Sequence, residues 1–141
     1  MIVVDANLLI YSSIGTLPQH KASYRWLRRQ LEELPRVGMP WSSLLAFVRI
    51  ASNSRLFASA LSIRAAWEQV EIWLSWPSVW IPVPTHRHPE ILGSLLCLPG
   101  MSPRHVPDAH IAALAIEHDL TLCSNDGGFS KFPGLRWQNP I

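Results

Sequence analysis

Cysteine is scarce. Cys97 and Cys123 are the only two, too few for a disulfide framework, and both stand in apolar stretches where a free thiol behaves as a small hydrophobe. Long apolar runs are missing too. Nothing approaches the roughly 20 residues that a membrane-spanning helix needs, and Met1 leads through Ile2-Val3-Val4 to Asp5 without a basic start or a cleavage site. A cytosolic protein with no membrane partner is therefore expected. Charged residues make up only 16% of the chain against 48% hydrophobic ones, the reverse of what disorder requires. There is no G-x-S-x-G elbow, no G-x-G-x-x-G and no Walker lysine, which excludes serine hydrolases of that type and the common nucleotide-binding classes. A zinc set is missing as well: His86, His88, His105, His110 and His118 show neither His-x-x-x-His spacing nor paired cysteines and read as surface or core histidines.

What is present is enough for one domain over residues 1–141 with a core of its own. The formal net charge of +2 is too mild to mark a nucleic-acid binder. Ten of the twelve basic residues are arginine, and Lys21, Arg25, Arg28, Arg29 and Arg36 crowd one segment. A phosphate-binding face and a solvated helix face account for them equally well. The tryptophans Trp67, Trp73, Trp76 and Trp80 fall largely at helix-core spacing, favouring packing or a dimer face over base stacking.

Ile2 to Val4 reads as a short strand covered on both faces. His20 to Leu34 is an amphipathic helix stopped by Pro35, and Arg36 to Pro40 a short strand. Ser42 or Ser43 then caps a helix running toward Asn53, and Leu61 to Trp76 forms a third helix. Val79 to Val83 alternates as a strand, Pro89 to Leu98 is helical, Ile111 to Ile116 is a nearly all-apolar helix behind Pro107-Asp108, and Leu120 to Cys123 is the last clear strand. Strands alternating with helices predict an α/β, three-layer sandwich with a mainly parallel central sheet flanked by helices.

Three aspartates fall where such a sheet builds its sites. Asp5 follows the first strand, Asp126 follows the last, and Asp108 opens a buried helix. Converging carboxylates repel one another unless a cation neutralises them, and oxygen ligands suit Mg²⁺ or Mn²⁺. Each also has a local explanation: Asp108 as a helix cap, Asp126-Gly127 as a tight turn, Asp5-Ala6-Asn7 as an Asx turn.

The combination of Ile2-Val3-Val4-Asp5-Ala6-Asn7, Pro107-Asp108-Ala109-His110-Ile111-Ala112-Ala113-Leu114-Ala115 and Ser124-Asn125-Asp126-Gly127-Gly128-Phe129, with Phe132-Pro133-Gly134-Leu135 after it, resembles the PIN-domain ribonucleases of the VapC type, toxins of bacterial toxin-antitoxin pairs. Trp41 to Arg55 and Asn139-Pro140 are similar to a mycobacterial branch. The resemblance spans essentially the whole chain. It implies metal-dependent endoribonuclease action, by in-line attack of an activated water on a backbone phosphate of RNA, often a transfer or ribosomal RNA. It further implies a homodimer and a small antitoxin partner. By the same resemblance Asp5, Asp108 and Asp126 are the catalytic metal ligands for Mg²⁺ or Mn²⁺, and Asn7, Asn125, Ser43 and Arg49 belong to the substrate contacts or the support of the ligands. Many PIN domains carry a glutamate on the second helix, where this chain has Ala46, and a further aspartate where it has Gly128. One tight metal site rather than two is the expectation, with an RNA- or antitoxin-binding PIN domain of weak activity as the alternative. A phosphatase-like hydrolase with an aspartyl nucleophile would want an aspartate in place of Asn7.

Overall fold

Side-chain alternation along the first strand organises the molecule. The computed structural model describes residues 1–141 and places β1 (Ile2–Val4) at the centre of a five-stranded sheet. Successive strand residues face opposite sides, so Ile2 and Val4 enter one core and Val3 the other. The first core is closed by α1 (Ala6–Ser13), α2 (His20–Glu33), α3 (Trp41–Ala51) and α4 (Ile63–Ser75). The second is closed by α5 (His88–Leu96) and α6 (Val106–Glu117). With β2 (Val37–Gly38), β3 (Val79–Trp80), β4 (Thr121–Cys123) and β5 (Arg136–Gln138), the strand order is β3-β2-β1-β4-β5, every pair parallel. This is the three-layer α/β sandwich that the alternation of elements implies, since parallel neighbours need crossover connections.

Several local expectations change. Asp5 does not close an isolated Asx turn; it caps α1, a helix not anticipated because the continuous apolar run through Leu8-Leu9-Ile10 has no helical periodicity. Position 46 consequently lies on the third helix, not the second. Neither Ser42 nor Ser43 caps α3: Pro40 occupies that place with no side-chain bond, and both serines sit inside the first turn. Ser62 does cap α4, accepting from the Ala65 N–H at 3.0 Å. Asp108 is the third residue of α6, whose cap is His105. The third strand ends at Trp80 rather than Val83, and β5, with one half-buried residue between two exposed ones, carried too little apolar signal to be expected. Among the four clustered tryptophans only Trp73 is buried, while Trp67 stands 42% exposed. Cys123 is buried, its thiol pushed up to about 12 by burial, whereas Cys97 is exposed. On α2, Arg28 and Arg29 pair with Glu32 and Glu33 at 2.8 and 3.5 Å, as a solvated helix face does.

Candidate active site

The carboxyl ends of β1 and β4 lie side by side, with Val4 opposite Cys123 and the Asp5 N–H donating to the Cys123 carbonyl at 3.0 Å. The next residues, Asp5 and Ser124, therefore leave the sheet as neighbours. The fully buried Ser124 hydroxyl donates to Asp5 Oδ2 at 2.7 Å, and accepts from Asn7 Nδ2 and the Asp126 N–H, both at 3.0 Å. One donor and two acceptor sites are all a hydroxyl has, so Ser124 is saturated and ties three segments to one point. Asp5 Oδ1 accepts from the Ala6 N–H at 2.8 Å and so faces the start of α1.

The loop after β4 is held in the same way. Asn7 Oδ1 accepts from the Asn125 N–H at 3.4 Å, and Asn125 Nδ2 donates to Asn139 Oδ1 at 3.3 Å. Trp137 on β5 donates its indole N–H to the Ser124 carbonyl at 3.1 Å. Asp126 caps a short 3₁₀ turn, Gly127–Lys131, through the Gly128 N–H at 2.8 Å. A Cβ at Gly128 would stand 3.1 Å from Asp126 Oδ1, so a side chain there would press on that carboxylate.

Asp108 reaches the same edge from the first turn of α6. Burial, then the charge of Asp126, raise its proton affinity above the usual carboxylate range, while Lys131 and His105 oppose the shift. Asp5 is also raised, chiefly by burial and further by Asp108 and Asp126, against the hydrogen bonds from Ser124 and Ala6. The three aspartates thus act on one another through their charges, although no three acidic or imidazole groups converge closely enough to form a ready-made cage for an ion. The donor set is oxygen-only, partly desolvated and mutually repulsive, a combination relieved by a hard divalent cation.

Asn7 and Asn125 join this network directly. Ser43 is buried in the first turn of α3 and its hydroxyl has no partner. Arg49 is exposed in the last turn of α3, outside the hydrogen-bonded cluster and not among the charges that shift Asp5 or Asp108. Ser124, Lys131 and His105 were not singled out from the sequence. Ser124 alone carried a usable signal, a hydroxyl directly after a buried strand and two residues before an aspartate.

The sequence profile described as PIN domain matches residues 2–135. Ribonuclease VapC37 of Mycobacterium tuberculosis is 45% identical over 140 residues, covering 99% of this chain and 97% of its own. Ribonuclease VapC33 of the same species is 34% identical over 141 residues, covering 100% and 99%. In three dimensions the chain is similar to VapC20 of M. tuberculosis, a sarcin-ricin loop cleaving toxin (TM-score 0.71, 20% identity, 96% and 99% covered). It is equally similar to VapBC2 of Rickettsia felis bound to a promoter DNA fragment (TM-score 0.72, 20% identity, 99% and 98% covered). The profile over nearly the whole chain, with relatives that match it end to end, agrees with the aspartates gathered at one sheet edge: the chain belongs to the PIN-domain family, in its VapC group.

Proposed function

We propose that this chain is a divalent-metal-dependent endoribonuclease toxin restrained by a small antitoxin protein. The observation that carries the reading is the Asp5–Ser124–Asp126 network with Asp108 beside it, in a chain 45% identical to a protein named a ribonuclease. The proposed substrate is a structured RNA, transfer or ribosomal, in line with a fold neighbour that cleaves the sarcin-ricin loop. Fold neighbours solved as toxin-antitoxin complexes support the antitoxin. Apolar side chains left in water, such as Leu45 and Ile72, support a covered surface in a homodimer or complex. No helix is long and apolar enough to cross a membrane, which suits a cytosolic place of action.

In this reading Asp5, Asp108 and Asp126 hold Mg²⁺ or Mn²⁺. When bound, such an ion polarises phosphoryl oxygens and acidifies water. The chain's own groups do the rest. Ser124 keeps Asp5 and Asp126 in place, Asn7 braces the Asn125 loop, and Lys131 sets positive charge beside Asp108 where a phosphodiester would lie. Ala46 and Gly128 leave the acidic set smaller than in many relatives, favouring one ion over two; a PIN domain that binds RNA or antitoxin without cutting is the second reading.

Incubating the purified protein with total RNA in Mg²⁺, Mn²⁺ or EDTA tests this. Cleavage in either metal, none in EDTA and none by Asp5→Asn is the expected pattern. Equal cleavage in EDTA would refute metal dependence, and binding of RNA without cleavage would select the second reading.

A further inference from the structure

β1 and β2 pair in parallel with Ile2 opposite Val37 and Val3 opposite Gly38. Carried on at the same one-for-one register, Asp5 falls beside Pro40. Pro40 is the N-cap of α3, so this eleven-residue helix starts at the edge that carries the carboxylates. That start is unfinished. Pro40 supplies no side-chain cap, and the N–H groups of Trp41 and Ser42 make no hydrogen bond within the chain.

The hydroxyls of Ser42 and Ser43 are also buried without partners, Ser43 being only 2% exposed. Helical Cα–Cβ bonds tilt toward the N-terminus, so these first-turn hydroxyls lean to the same end as the free N–H groups. An unpaired buried hydroxyl is normally avoided. Free N–H groups, idle hydroxyl donors and the positive end of a helix together suit an oxyanion.

Trp41, the first residue of the same helix, turns its indole outward. It stacks on Trp67 of α4 with ring centroids 6.3 Å apart and planes 12° from parallel, and the two residues are 40% and 42% exposed. Arg64, three residues before Trp67, is exposed and forms no ion pair. A flat aromatic face, an unpaired cation and an oxyanion seat next to the catalytic edge match a nucleotide better than a second apolar protein surface.

We propose that the start of α3 and the Trp41–Trp67 stack form a subsite for one nucleotide of single-stranded RNA, its phosphate on the Trp41 and Ser42 N–H groups and the Ser43 hydroxyl, its base against the indoles. The subsite rests on the ribonuclease reading above and gives it a substrate-positioning element outside the aspartates.

The test is binding of a short single-stranded RNA, and of the same oligonucleotide made abasic, to the full chain in Ca²⁺, with cleavage in Mg²⁺ followed in parallel. Trp67→Ala is expected to weaken binding of the base-bearing strand roughly tenfold and to leave the abasic strand unaffected, and Trp67→Phe to recover most of the loss. Ser43→Ala is expected to weaken both strands severalfold without lowering the unfolding midpoint, since it deletes a hydroxyl that is idle in the free protein. Unchanged binding by Trp67→Ala, an equal loss on both strands, or a change of oligomeric state in its place would overturn the base site. Unchanged binding by Ser43→Ala would overturn the phosphate seat. If the wild type cuts RNA while these variants behave like it, the subsite fails and the ribonuclease reading stands; if the wild type neither binds nor cuts RNA, both fall.

Discussion

The Ser124 hydroxyl donates to Asp5 Oδ2 across 2.7 Å, joining residues 119 positions apart at the adjacent ends of two parallel strands. The bond fixes one aspartate from β4 while the Asp126 N–H is held by the same oxygen. Removing it with Ser124→Ala leaves Asn7 Nδ2 and the Asp126 N–H without their acceptor. A loss of about 1–3 kcal/mol in denaturant unfolding is expected for a buried network broken on one side. Mn²⁺ affinity should fall about 10-fold to 100-fold, as with other groups that orient metal ligands. Calorimetric titration and unfolding on the same preparation check both; wild-type affinity in the folded variant would show that Ser124 does not set the site.

Asp108→Asn separates function from stability. Burial and Asp126 raise the Asp108 proton affinity in the folded, metal-free chain above its ordinary value of 3.8. Between 3.8 and the raised folded value the folded state binds more protons than the unfolded one, so stability from this group declines as pH rises through that window. Above it the ionised carboxylate is a standing cost. In the absence of metal, Asp108→Asn should therefore raise the unfolding midpoint at neutral pH, with the gain fading toward about pH 4, while RNA cleavage falls by roughly a hundredfold or more. Thermal unfolding across that range and cleavage in Mg²⁺ are the measurements. A variant less stable at neutral pH would refute the repulsive cluster.

The two non-acidic positions are not equivalent. Ala46 is half-buried, about one turn beyond the serines at the start of α3. Ala46→Glu should tighten Mn²⁺ binding modestly, about tenfold or 1.4 kcal/mol, because the added charge meets three existing carboxylates. A side chain at Gly128 starts 3.1 Å from Asp126 Oδ1, so Gly128→Asp presses on the Asp126 carboxylate proposed to hold the ion and should bring no gain. Titration of Mn²⁺ into both variants checks the contrast; unchanged affinity in a folded Ala46→Glu would place that residue away from the site.

A histidine relay ties α5 to α6. His88 contacts Glu117 Oε2 through Nδ1 at 2.8 Å and His110 Nδ1 through Nε2 at 3.1 Å, and the buried Glu117 also accepts from the Thr85 N–H at 2.9 Å. Burial first, then His88, hold His110 below its ordinary value of 6.5, with Glu117 opposing. The unfolded chain therefore takes up a proton at His110 before the folded one does, and stability present above pH 6.5 is lost as pH falls. The unfolding midpoint of the wild type should drop between neutral pH and about pH 5 more steeply than that of His110→Gln, which cannot be protonated there. Parallel curves for the two proteins would show that His110 does not titrate between these states.

What the sequence determined by itself was whatever rests on local pattern. Apolar periodicity marked α2 and α4, a nearly all-apolar run behind Pro107-Asp108 marked α6, the continuous β-branched run marked β1, and the alternation of strands and helices required a parallel sheet. Those same patterns put Asp5 and Asp126 at strand ends, so the acidic edge was legible before any coordinate. Features depending on partners far along the chain were not. α1 and β5 have no periodic signature and exist because Asp5 caps one and the β4 ladder completes the other. Ser124 has a local hint in its place between a buried strand and an aspartate, but its partner is decided only when two strands paired in register bring it against Asp5. The idle hydroxyls of Ser42 and Ser43 likewise emerge only once Pro40 has taken the cap and packing has closed around the first turn of α3. A hydrogen bond between residues 119 apart leaves no trace in spacing, because pairing across a parallel sheet is decided by the register of strands whose connections are long.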